Sequence, residues 1–136
     1  MNRVTAGVIA GTLLVTTVLV GTAIAHTYVA ETSLTIHKEP RGVTEAGEKI
    51  FIFGRLRSAR PACRVFEWVK LMKVRPGPDR SMERDRTDSE GNYRFVLHPL
   101  SDQVVYVKFF GSFRDPIGHS HRCLSSRSEN QIINVS

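Results

Sequence analysis

The segment Gly-His-Ser-His-Arg-Cys, residues 118 to 123, brings His119, His121 and Cys123 within a few residues of one another. Two histidines at i and i+2 of an extended segment point to the same side, and imidazole together with thiolate is a suitable donor set for zinc. Cys63 is the second sulfur in the chain. Further donors are sparse, however, and an even pair of cysteines in an exported domain bonds to itself before it binds metal. The expectation is therefore a Cys63–Cys123 disulfide and no cofactor, with His119 and His121 as the residues that a metal would use.

Other chemistry has less support. The chain has no Gly-x-Ser-x-Gly, no His-Glu-x-x-His, no P-loop and no glycine-rich dinucleotide fingerprint. His98, beside Pro99 and near Asp102, has no nucleophile to activate. The acidic residues from Asp85 to Glu90 lack the Asp-x-Asp-x-Asp-Gly spacing of a calcium loop. These absences point away from an enzyme, and no catalytic residue is assigned.

Charge is more informative. Lys and Arg number 19 against 13 Asp and Glu, a formal net charge of +6. Arg55, Arg57, Arg60 and Arg64, with the aromatic Trp68 just beyond, are the candidate binding surface, and Lys70, Lys73, Arg75, Arg80, Arg84 and Arg86 extend the basic stretch. The partner this implies is a protein or an anionic surface polymer: a teichoic-type chain, an acidic polysaccharide or an anionic lipid. Nucleic acid is not expected outside the cell. Glu67, Asp79, Glu83, Asp85, Asp88 and Glu90 are interspersed, which in sequence dilutes any field of one sign.

Residues 1–25 set the compartment. Arg3 precedes an uncharged run from Val4 to Ala25, and Ala23-Ile24-Ala25 has the small-x-small form that signal peptidase accepts. The run is also long enough to span a bilayer, so a retained single-span anchor is the alternative, and only then does the chain touch a membrane. Either way the remainder is secreted or extracytoplasmic. The expected organisation is an export segment at 1–25, a flexible lead-in at 26–32 and one domain at 33–136. In that setting a bridge closing a loop of about 60 residues stabilises the fold by about 4 kcal/mol in the chain-entropy model.

The elements that must position these residues read as short strands. Leu34 and Ile36 alternate with Thr35 and His37, while 49–58 is apolar on both faces, as in a central strand. Gly54 marks a bulge or a close backbone approach. Residues 65–74 are rich in Val and aromatics, and Pro76 and Pro78 break the chain after them. Tyr93, Phe95 and Leu97 form one apolar face, with Val105, Val107 and Phe109 another; 111–128 reads as a long irregular loop and 130–136 as a closing strand. Seven strands and no helical period outside the export segment predict an all-β, antiparallel sandwich.

Gly54-Arg55-Leu56, then Val69-Lys70-Leu71-Met72-Lys73-Val74, then the run from Arg86 to Leu97 resemble, in that order, the pattern of bacterial secreted Ig-like and prealbumin-like (transthyretin-like) domains, including carboxypeptidase regulatory-like modules. The resemblance covers roughly 33–136. It implies a seven-stranded sandwich in which Thr87, Asp88, Gly91, Tyr93 and Phe95 shape and bury a hairpin. It also implies a non-catalytic binding or structural module at the cell surface or in the extracellular space. The Pro-Gly-Pro segment at 76–78 and the insert carrying Cys123 depart from the family pattern.

Overall fold

In a computed structural model the chain is described over residues 27–114 and 120–136. The expected export segment at 1–25, read as cleaved signal or anchor, lies outside the described residues, as does His119. Among the described residues no helix is long and apolar enough to cross a membrane.

Strand alternation builds two facing sheets. The smaller consists of β2 (Ser33–Leu34), β3 (His37–Glu39), β4 (Ile50–Arg57) and β7 (Asn92–Leu97), with β4 in the centre. The larger consists of β5 (Trp68–Lys73), β6 (Arg80–Arg86), β8 (Gln103–Phe109), β11 (Ser126–Arg127) and β12 (Gln131–Ile133), in which β5 lies between β6 and β8. Ile50, Ile52, Leu56, Tyr93 and Phe95 from one sheet meet Val69, Leu71, Val105, Val107, Phe109 and Ile133 from the other, and all are buried. These are the residues at every second position, the two-residue period of a half-buried strand.

A third sheet was not legible in the sequence. β1 (Thr27–Ala30) runs parallel to β10 (Ser120–Cys123), which pairs antiparallel with β9 (Ser112–Arg114). The expected flexible lead-in at 26–32 is therefore corrected over Thr27–Ala30, as is the irregular loop over β9, β10 and β11. The parallel pair also departs from a purely antiparallel sandwich. These short segments carry little alternation of their own because they hydrogen-bond to one another at the margin of the core rather than laying a full apolar face on it.

The hairpin between β6 and β7 closes through Asp88, whose Oδ1 accepts from the amides of Glu90 and Asn92, both at 2.9 Å. Gly91 sits at φ +88°, and a Cβ there would stand 2.4 Å from the Leu56 carbonyl oxygen. Thr87 Oγ1 accepts from the Glu67 amide at 2.8 Å and donates to the Arg64 carbonyl at 2.7 Å. The buried Tyr93 hydroxyl donates to the Thr35 carbonyl, and burial pushes its pKa up. At Gly54 a Cβ would come within 2.1 Å of that same Thr35 oxygen, so the glycine permits a close backbone approach.

Cys63 and Cys123 are bonded, with Cα atoms 5.5 Å apart and both sulfurs buried. The bridge ties the 3₁₀ turn Pro61–Cys63 to β10 and so holds the third sheet against the other two. The double variant Cys63→Ala/Cys123→Ala should lose about 2–5 kcal/mol in equilibrium urea unfolding. It should unfold first over β1, β9 and β10, read as early loss of amide protection there.

Candidate functional site

The register of the larger sheet aligns four cations. Arg84 of β6 stands opposite Lys70 of β5, Lys70 opposite Lys108 of β8, and Lys108 opposite Arg127 of β11. Together they form one cross-strand row on the outer face. With interstrand spacings of about 4.8 Å the row is about 14 Å long. Among the described residues no carboxylate lies within ion-pairing distance of any of the four.

Each cation is seated on an aromatic ring. The Arg84 guanidinium lies 4.4 Å from the centre of Trp68, and Arg127 lies 3.5 Å from that of Tyr106. Phe110 is shared: the ammonium of Lys70 is 5.1 Å away and that of Lys108 is 4.7 Å away. Arg86, one rung along, stands 5.7 Å from Trp68 and 5.8 Å from Phe66. Such contacts are worth about 0.5–1 kcal/mol at exposed sites and fix where a long side chain rests.

Like charges directly across a strand pair cost stability, on the order of a few tenths of a kcal/mol per pair. A row of four carries three such pairs. The interspersed acids do not relieve it, because alternation sorts them elsewhere. Glu83 and Asp85 stand opposite the core residues Leu71 and Val69, so they point to the other side of β6 from Arg84 and Arg86. Asp85 Oδ2 accepts from the Arg94 amide, Asp88 is held by its turn, Glu90 pairs with Arg55 at 3.5 Å, and Glu67 is buried. Asp79 is the exception. Its Oδ2 accepts from the Tyr106 hydroxyl at 2.6 Å and anchors the ring that carries Arg127.

The expected patch is divided by the fold. Arg55 and Arg57 lie on β4 of the smaller sheet, Arg60 stacks on Tyr28 at 4.5 Å, and Arg64 donates to the Ser58 carbonyl at 2.8 Å. Trp68 alone of that set belongs to the cationic row. Sequence reasoning passed over Lys108 and Arg127. The one signal present was parity, since Arg84 and Arg86 share a strand face with Trp68 and Lys70 only once β5 and β6 are paired.

A metal centre has no such support. Among the described residues no three His, Cys, Asp or Glu side chains converge as donors, and both cysteine sulfurs are used in the disulfide. His121 stacks on Tyr28, with ring centres 4.3 Å apart. The described residues therefore do not make up a metal site.

No family model matches the chain, and no curated protein does. Among solved structures the fold is similar to that of a superoxide reductase (neelaredoxin) from Ignicoccus hospitalis, with a TM-score of 0.51 and 16% identity over 75% of this chain and 80% of that one. This likeness corrects the expectation of a non-catalytic module, soluble or anchored, that is not an enzyme. That expectation took a sandwich built around a structural turn to exclude catalysis, and the same architecture is the fold of a reductase.

Asp79 gives the row a pH dependence. The Tyr106 hydroxyl and the Arg75 amide hold its carboxyl below the ordinary value of 3.8. A depressed acid contributes stability that is fully present above its unfolded pKa and is lost as pH falls through its folded one. Urea midpoints measured between about pH 6 and pH 2 should fall less steeply for Asp79→Asn than for the wild type at the acid end.

Proposed function

We propose that this protein works outside the cytoplasm by engaging a polyanionic partner or substrate on the outer face of its larger sheet. The observation that carries the reading is the row Arg84, Lys70, Lys108 and Arg127, a repulsive arrangement that an anion relieves. Holding and turnover are both compatible with such a face. The setting is export through residues 1–25 and a sandwich of the secreted Ig-like or prealbumin-like kind. The disulfide supports an oxidising compartment.

The likeness to a superoxide reductase supports a second reading, reduction of a small anion such as superoxide, which a cationic face would also steer toward the protein. The described residues do not bring together the donors that a metal-dependent step would need.

Retention on immobilised heparin tests the first reading. Lys70→Gln/Lys108→Gln should elute at clearly lower salt than the wild type. Arg55→Gln/Arg57→Gln, which removes the same charge from the other sheet, should elute close to the wild type. Equal losses would reduce the effect to net charge and sink the proposal. Lys70→Gln should also be more stable than the wild type at low salt, by up to about 1 kcal/mol, since it removes two like-charge neighbours. A stoichiometric metal in the same preparations, with superoxide consumption that survives both double variants, would favour the second reading.

A further inference from the structure

Resting on the reading above, we infer that the polyanion is a linear acidic polysaccharide lying across the strands, one carboxylate to each cation of the row. The row crosses the strands with one cation on each. Its period is the interstrand spacing of about 4.8 Å, which suits a polymer carrying one carboxylate on each sugar ring. A lipid headgroup layer has no such linear period. A nucleic-acid duplex presents phosphates on a curved surface that meets a flat sheet at few points.

The rings beside the row supply the second half of the match. Phe66, Trp68 and Phe110 are 52%, 47% and 53% exposed, which leaves apolar surface next to the cations for the faces of sugar rings. Phe66 has a left-handed backbone, φ 53°, uncommon for a bulky residue and costly to maintain. That conformation keeps its ring in solvent on the cationic side, within reach of Arg86. Arg84 and Arg127 lie against their rings, and Arg127 Nη2 also donates to Asn130 Oδ1 at 2.7 Å. A guanidinium held in this way keeps its planar fork in place for a carboxylate, so little ordering remains to be done on binding.

The face thus divides into a charged line and an apolar margin. A polyuronate offers partners for both, carboxylates for the cations and flat C–H faces for the exposed rings. Arg84 and Arg127 are the two ends of the row, so a fifth carboxylate finds no further cation in it.

The test is titration of the full-length chain with oligogalacturonates of two to eight units. It is followed by the emission of Trp68, the single tryptophan. Affinity should climb with each unit up to four and then level off. Lys70→Gln should weaken the four-unit oligomer by about tenfold, as loss of one charge-assisted contact. Methyl-esterified oligomers should not bind, and Arg55→Gln should behave as the wild type. Rung-dependent binding that keeps climbing through eight units would overturn the polysaccharide assignment while leaving the polyanion face standing. So would tighter binding of phosphatidylglycerol vesicles or single-stranded DNA. Binding of all these probes unaffected by Lys70→Gln would overturn both.

Discussion

Strand β5 pairs with β6 on one side and β8 on the other at Lys70, and the character of the outer face follows from that register. The register is held from beneath. Val69 and Leu71 are fully buried and stand opposite Asp85, Glu83 and Val107, so a slip of one residue would expose both and turn Lys70 and Trp68 into the core. Hydrophobic burial therefore fixes the position of charges that repel one another. The core contributes a few kcal/mol at each of these positions, against tenths for each repulsive pair, so the fold tolerates the row.

The rings explain why the cations do not splay into solvent. Phe110 beneath two ammonium groups and Tyr106 beneath Arg127 tie the row down, and Asp79 fixes Tyr106 in turn. The Cys63–Cys123 bridge secures a third sheet too small to be stable unaided. Of the surface cations, four of the larger sheet are collected by register into one line, while Arg55, Arg60 and Arg64 are each held by a partner of their own.

Local pattern carried much of this into the sequence. Alternation places β4 and β7 with the correct face inward, because Ile50, Ile52, Tyr93, Phe95 and Leu97 recur at the strand period. The expectation of export made two cysteines enough to read the bridge. Register was not legible. Lys70, Lys108 and Arg127 are far apart in sequence and meet through pairings that no local signal specifies. The acids of β6 misled for the same reason, since neighbours in sequence lie on opposite faces of a strand. Nor did a motif with a structural turn say anything about catalysis, a property of sites rather than of folds.

The outer face of the larger sheet is the proposed site of anion binding. Amide chemical shifts recorded while a polyanion is added test it most directly. Perturbations should centre on residues 68–70, 84–86, 106–110 and 127, with β4 and β7 undisturbed. Shifts centred on Arg55, Arg57, Arg60 and Arg64, or on His121, would contradict it.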